Sequence, residues 1–305
     1  MTSPFGALAV IADPRAGVVD QLPTLERALD ARGVEHRILV ANGSDPSTLA
    51  TDALDEGFRF LVAVGDDVTV QAVVNGMFRD GRPIRDEPIL GVVAAGSGCD
   101  LVRSFGLPGD TESAAAHLAG ENTYALDLMK ITATGAAGER VSRYGHNLAQ
   151  VGMGAQQFAC AAKAPAWLGR SRRFYGFWCG YLKTKATKVT VAHDTRTWEG
   201  RAWNVVVANA QFTGGGLRLS PRSFPGDGVL DALVFVGPRS GAYTQLPRLF
   251  RHGDHVPDPD IKELKAKIRF EVRSERPLPV LVDGVTLGTT PVTFQIVPRP
   301  ILFKL

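Results

Sequence analysis

Four short apolar runs, GALAVIA (6–12), HRILV (36–40), FRFLVAVG (58–65) and PILGVVAAG (88–96), recur along the first 130 residues. Each is too short for a typical helix and too continuously apolar for a strand with one wet face. They read as strands buried on both sides. A helical period separates the first two, with Leu22, Leu25, Ala28 and Leu29 on one face and Gly33 as its stop. Asp45-Pro46 then supplies an N-cap followed by proline at the first helical position, and Gly57 ends that segment. Alternation of this kind specifies an α/β, doubly wound, Rossmann-like domain whose parallel sheet is covered by helices on both faces.

After about residue 130 strand-like stretches follow one another through Gly/Pro turns: WNVVVANAQF (203–212), VLDALVFV (229–236), KIRFEV (267–272), LPVLV (278–282) and VTFQIV (292–297). That pattern predicts an antiparallel β-sandwich. One helix is expected around 163–183 and another near 240–250, and GDHVPDPD (253–260) reads as a surface loop. The predicted organisation is an α/β domain over 1–130 and a β-sandwich domain over 131–297, with a last strand around 298–305 returning to the first domain.

Several classes are excluded. No apolar run approaches the ~20 residues needed to span a bilayer. The start, MTSPFGALAV, lacks a basic leader region and a cleavage pattern. The three cysteines, Cys99, Cys160 and Cys179, are far apart with no CxxC, which argues against a disulfide framework and for a reducing, cytoplasmic setting. A formal charge of +3 gives no case for a nucleic-acid partner. The six histidines are scattered; His252 and His255 fall in the predicted loop region without ligands at metal spacing.

Three turns of the first domain share one edge. DPRAG (13–17), GDDVT (65–69) and AAGSGCD (94–100) each leave the carboxyl end of a predicted parallel strand. Doubly wound sheets bind ligands at that edge, where amides and helix N-termini point outward, and glycine lets the main chain approach an anion. A nucleotide-phosphate site is the reading favoured over turns that merely close. None of the three is a Walker A loop, and no GxGxxG follows the first strand.

In order along the chain, these residues resemble the diacylglycerol kinase catalytic-domain family, bacterial lipid kinases related to sphingosine kinases and more distantly to NAD kinases. DPRAG is similar to the family's NPxSG, and GDDVTVQAVVNG (65–76) to GGDGTxNEVVNG. LGVVAAGSGCDLVRSFGLP (90–108) is similar to LGIIPxGTGNDFARxLGIP, and GGGLRLSP (214–221) with GDGVLD (226–231) to GGGMxxxP…DDGxLD. VLVDGVTLGTTPVTFQIVP (280–298) is similar to the segment that holds DGE.

The resemblance implies ATP and Mg²⁺ in a cleft between the domains. By that likeness Arg15, Gly65, Asp66, Asp67 and Thr69 face the nucleotide, as do Gly96, Ser97, Gly98 and Arg103. Asp67 acts through Mg²⁺ or water, and Asp127 belongs to the catalytic set. Asp100 and Lys130 lie on the substrate side, and Asp227 lies where the family holds a structural divalent cation. Asp283 is the general base that takes the lipid hydroxyl's proton, a role suited to a carboxylate because an alcohol's own pKa is high. Residue by residue, Asp100 also reads as a helix N-cap and Arg103 as a solvated first-turn residue. Asp283-Gly284 and Asp227-Gly228 also read as turns, the former as type I′. Gly152 and Gly154 take only a backbone role.

The departures from the family pattern fall in these same turns. Asp66 and Val68 stand where the family has glycine, Cys99 replaces its asparagine, and Ala94, Ala16, Val285 and Gly226 replace a proline, a serine, a glutamate and an aspartate. Val68 is expected to tolerate positive φ poorly, and Asp66 adds negative charge where phosphates would bind.

Between Lys163 and Lys188 there are seven Lys/Arg, no Asp or Glu, and six aromatics. With the family likeness, that composition is read as peripheral contact with an anionic membrane surface, in preference to a core-packed helix with a solvated basic face. The functional expectation is an ATP-dependent lipid kinase of phospholipid metabolism acting on a diacylglycerol-like lipid, cytoplasmic and peripheral at the inner face of the membrane. A homodimer and no nucleic acid complete the partners. The alternatives are a catalytically silent lipid- or nucleotide-binding homologue and, third, an NAD kinase.

Overall fold

The computed structural model describes residues 4–95, 99–238 and 253–305. The chain divides into two compact units, Met1–Leu128 with Val297–Leu305, and Met129–Ile296. The chain crosses between them inside two strands, Thr123–Thr134 and Val285–Lys304.

The first unit is a parallel α/β sheet. Strands β1 (Leu8–Ala12), β2 (His36–Val40), β3 (Phe60–Gly65) and β4 (Ile89–Ala94) pair in the order β4-β3-β1-β2. Leu302 and Phe303 of the returning strand lie parallel to Ile89 and Leu90 of β4. Apart from half-exposed β2, these strands are wholly buried, as their unbroken apolar composition requires. Helix α1 (Leu22–Asp30) buries Leu22, Leu25, Ala28 and Leu29, the four positions its period selects. Together with Ala114, Ala115 and Leu118 of a later helix (Thr111–Ala119), they cover the face formed by Leu8, Val10, Phe60 and Val62. Helix α2 (Pro46–Asp55) starts as the sequence dictates, with the Asp45 carboxylate accepting the Ser47 N–H at 2.9 Å. Helix α3 (Asp67–Gly76) packs on α2, and Thr51 Oγ1 donates to the Gly76 carbonyl at 2.9 Å.

The second unit is an antiparallel sandwich. One layer orders Ile261–Ala266, Leu230–Phe235, Asn204–Ala208, Leu148–Gly152 and Pro279–Val282. The other contains Arg196–Ala202, Thr187–His193 and Arg269–Ser274, the last paired with Val292–Gln295. Arg140–Gly145 pairs with Met129–Thr134. Alternate residues of both layers, among them Val151, Val205, Val234, Phe270, Val280 and Phe294, form one core.

The structure corrects several sequence expectations. The helix expected over 163–183 runs only over Arg172–Lys183, after a 3₁₀ segment at Ala166–Ser171, and a second helix precedes it at Met153–Ala162. The helix expected near 240–250 and His252 lie outside the described residues. The segment 253–260 is not wholly superficial, because His255 is fully buried and its Nε2–H donates to the Leu219 carbonyl at 2.9 Å. Cys160 and Cys179 form a disulfide, with Cα atoms 6.0 Å apart. A search for CxxC misses such a pair because its residues sit on two packed helices, 19 positions apart.

Candidate functional site

In the first unit the neighbours of β1 are β2 on one side and β3 on the other, so the strand order reverses between β1 and β3. The loops leaving these two strands therefore flank the switch-point crevice at which open α/β sheets take ligands. DPRAG leaves β1, and GDDVT leaves β3.

Four carboxylates at this edge hold backbone amides. Asp13 accepts from Arg15 N–H at 3.0 Å, Asp45 from Ser47 and Asp66 from Thr69 N–H at 3.1 Å. Asp67 reaches across to the loop after β4. Its Oδ1 and Oδ2 accept the Asp100 N–H at 3.0 and 3.1 Å, Oδ1 accepts the Leu101 N–H at 3.4 Å, and the Cys99 thiol donates to Oδ1 at 3.3 Å. The short helix Asp100–Ser104 is thus capped from another element, and the expected N-cap role of Asp100 is corrected: Cys99 occupies that position and Asp100 is the first helical residue. Asp100, buried, accepts from Arg103 Nη1 at 2.6 Å.

Arg15 points its guanidinium back to Asp13, Nε to Oδ1 at 2.9 Å and Nη2 to Oδ2 at 2.7 Å. The hydrogen bond from Arg15 holds the Asp13 carboxyl below the usual carboxylate range against the opposing effect of burial. Asp13 in turn raises the Arg15 pKa, with smaller contributions from Asp45 and Asp66. Burial, and then the charge of Asp67, push the Cys99 thiol well above its ordinary value, so it stays protonated and donates.

The departures at this edge thereby acquire a structural account. Asp66 is the N-cap of α3, and Val68 lies inside that helix and is absent from the positive-φ residues, so no left-handed strain arises there. Gly65 is required for space: a Cβ on it would stand 2.6 Å from Thr69 Cβ. An aspartate directly before a helical run is itself an N-cap signal, which Asp66 supplies. Gly96, Ser97 and Gly98 lie outside the described residues.

Asp127, also in the first unit, is buried and accepts the Arg299 N–H at 2.9 Å, where Arg299 adopts φ +50°. It holds the returning strand.

In the second unit Asp283 and Gly284 have φ +44° and +85°, which fits the type I′ turn their sequence predicts. The Asp283 side chain is nonetheless buried. Its Oδ2 accepts the His146 N–H at 2.7 Å, and its Oδ1 accepts those of Asn147 and Leu148 at 3.2 and 2.9 Å. His146 Nδ1 stands 3.2 Å from Oδ2, itself fully buried. Sequence reasoning missed His146, because its partner lies 137 residues away. Lys130 lies half-buried in the strand Thr123–Thr134. Asp227 is exposed and accepts the Val229 N–H at 2.9 Å, a local turn. Among the described residues no three His, Cys, Asp or Glu gather as a metal-binding group. No described helix is long and apolar enough to cross a membrane.

Residues 7–131 match the model of the diacylglycerol kinase catalytic domain, and residues 153–303 that of the YegS C-terminal NAD kinase beta sandwich-like domain. The chain is 24% identical to a probable lipid kinase YegS-like protein of Stenotrophomonas maltophilia, over 88% of this chain and 85% of that one. It is also 24% identical to a diacylglycerol kinase of Bacillus subtilis, over 82% and 78% respectively. The crystal structure of a diacylglycerol kinase from Bacillus anthracis shares the fold, with a TM-score of 0.71 at 19% identity over 99% of this chain and 97% of that one.

Proposed function

The chain belongs to the diacylglycerol kinase catalytic-domain family, and from that membership we propose that it transfers the γ-phosphoryl group of ATP to the hydroxyl of a diacylglycerol-like lipid. The observation that carries this reading is the in-order succession of family motifs through both units, from DPRAG to VLVDGVTLG. The lipid oxygen attacks the γ-phosphorus, the bond to the β-phosphate oxygen breaks, ADP leaves, and the hydroxyl proton passes to Asp283. Three backbone N–H groups fix the position of that carboxylate. A loose transition state makes positioning and charge stabilisation the larger part of the catalysis.

In this reading Arg15, Gly65, Asp66, Asp67, Thr69, Gly96, Ser97, Gly98 and Arg103 form the nucleotide side. By the family likeness Asp100 and Lys130 are assigned to the substrate side, and Asp127 holds the backbone at Arg299. A divalent ion, when bound, neutralises the β- and γ-phosphate oxygens. Asp67 is the carboxylate that the family likeness sets beside that ion, and magnesium usually keeps several of its waters. Because the acceptor resides in a bilayer, peripheral contact with an anionic lipid surface belongs to the same reading, supported by the basic, acid-free stretch 163–188.

One observation favours a second reading, a catalytically silent homologue. Asp66 and Asp67 already occupy amides at the crevice and add negative charge where phosphates would enter. Radiolabelled transfer from ATP to diacylglycerol in mixed micelles, run beside thermal shift with ATP–Mg²⁺, separates the two. Transfer establishes the kinase. No transfer together with an unmoved melting temperature establishes the silent homologue.

A further inference from the structure

Helices α4 (Met153–Ala162) and α5 (Arg172–Lys183) of the second unit pack closely along two glycines of α5. A Cβ on Gly176 would stand 2.6 Å from Ala161 Cβ, and one on Gly180 would stand 2.8 Å from Gln157 Cα. The close approach brings Cys179 onto Cys160, and the disulfide fastens the pair. Phe177 and Tyr181 pack against the core around Leu148, Met153 and Trp203.

The apolar surface of the helix continues beyond these two residues, through Trp178, onto an exposed face. Phe174, Trp178 and Leu182 recur every four residues and are 68%, 38% and 69% exposed, and Trp167 in the preceding turn is 83% exposed. Phe174 and Trp178 meet edge to face, with ring centroids 6.0 Å apart. An amphipathic helix normally turns its apolar stripe inward, so large apolar side chains left outward together mark an interaction surface.

Charge identifies the partner. No Asp or Glu occurs between Glu139 and Asp194. Lys163, Lys183, Lys185 and Lys188 are exposed, and Arg201 donates to the Ala186 carbonyl at 2.7 Å, adding a guanidinium at the end of the helix. Cations beside tryptophan and phenylalanine on an in-plane helix fit the headgroup zone of an anionic bilayer, where the rings sit at the interface and the lysines reach phosphates.

We infer that α4 and α5 form a disulfide-fastened docking element, which seats Trp167, Phe174, Trp178 and Leu182 in an anionic lipid bilayer and is released when a dithiol cleaves Cys160–Cys179. The inference deepens the lipid-kinase reading, from which it takes only the presence of a bilayer-borne substrate. In the release step one thiolate of the dithiol attacks a bridge sulfur to give a mixed disulfide, and its second thiol resolves that intermediate. Cys160 and Cys179 end as two thiols, the dithiol ends as its own disulfide, and two electrons pass to the protein. A helix of 12 residues holds poorly by itself. With the bridge open, the helix is held without a covalent tie, by the glycine seam, by Phe177 and Tyr181 in the core, and by Arg172 Nη2 donating to the Ala162 carbonyl at 2.9 Å. A face ordered in advance incurs little ordering cost on docking, whereas a loosened one must be ordered at the membrane.

The test is sedimentation of the full chain with vesicles of phosphatidylserine and phosphatidylcholine, against vesicles of phosphatidylcholine alone. Mass analysis after alkylation first verifies that Cys160 and Cys179 are blocked until dithiothreitol is added; free thiols at both positions in unreduced protein overturn the proposal. The oxidised protein is expected to bind the anionic vesicles. Treatment with dithiothreitol, or the double substitution Cys160→Ser/Cys179→Ser, is expected to weaken binding about tenfold. Trp167→Ser and Phe174→Ser keep the bridge and are expected to weaken it about tenfold each. Equal binding by oxidised, reduced and serine forms overturns the fastening while leaving membrane contact intact. Binding unaffected by Trp167→Ser and Phe174→Ser overturns the surface, and so does sedimentation with neither vesicle type. Phosphate transfer to a short-chain diacylglycerol in detergent needs no docking, so it tests the kinase reading separately.

Discussion

Asp67 caps the helix that begins at Asp100, with its two carboxylate oxygens 3.0 and 3.1 Å from the Asp100 amide nitrogen. The residue that the family motif assigns to the nucleotide is thus also the tie between the loops after β3 and β4. Asp67→Ala leaves the Asp100 and Leu101 amides and the Cys99 thiol without this acceptor. The expected outcome is a loss of about 1–3 kcal/mol in urea unfolding, because several donors depend on one carboxylate. Asp67→Asn keeps one oxygen and is expected to lose less. Equal stability of wild type and Asp67→Ala would show that the cap contributes nothing.

Asp66→Gly restores the family's glycine and should move two measurements in opposite directions. The N-cap to Thr69 is lost, which lowers stability by ~0.3 kcal/mol when glycine is the replacement. Negative charge is removed from the crevice, so ATP–Mg²⁺ should bind about tenfold more tightly in a calorimetric titration. Unchanged or weaker nucleotide binding would place the phosphates elsewhere.

Asp283→Asn puts an amide NH₂ group among the three N–H donors of residues 146–148. Stability is expected to fall by about 1–3 kcal/mol. Phosphate transfer to lipid should fall by about 10²-fold or more, with the dissociation constant for ATP nearly unchanged. Full transfer activity in this variant removes Asp283 as the proton acceptor.

His255 gives a pH dependence whose sign can be worked out. Burial lowers its pKa below 6.5, outweighing the hydrogen bond to Leu219 and the nearby Asp258, Asp254 and Glu263, which favour the charged form. Below pH 6.5 the unfolded chain takes up a proton that the folded chain refuses. Stability is therefore fully present above that pH and declines as pH falls. His255→Asn should flatten the acid limb of a plot of unfolding free energy against pH; an unaltered limb would show that another group controls it.

What could be read in advance was whatever depends on near neighbours. The buried strands of the first unit, the four inward positions of α1, the Asp45 cap with Pro46 behind it, and the Asp283-Gly284 turn all follow from periodicity or from one residue's φ preference. The motif order was legible for the same reason, since each motif is a contiguous run. The occupation of those motifs was not. Asp67 meets Asp100, Asp127 meets Arg299, Asp283 meets the 146–148 amides, and Cys160 meets Cys179. Folding brings each of these pairs together across separations of 19 to 172 residues.

By itself the sequence determined the two architectures and the edge of the sheet where loops, glycines and aspartates gather. The tertiary structure alone decided which donors those aspartates hold and which face of α5 is left to solvent. The physical reason is that a carboxylate satisfies the nearest unpaired amides, and nearness in space is settled by packing between elements, which no local pattern encodes.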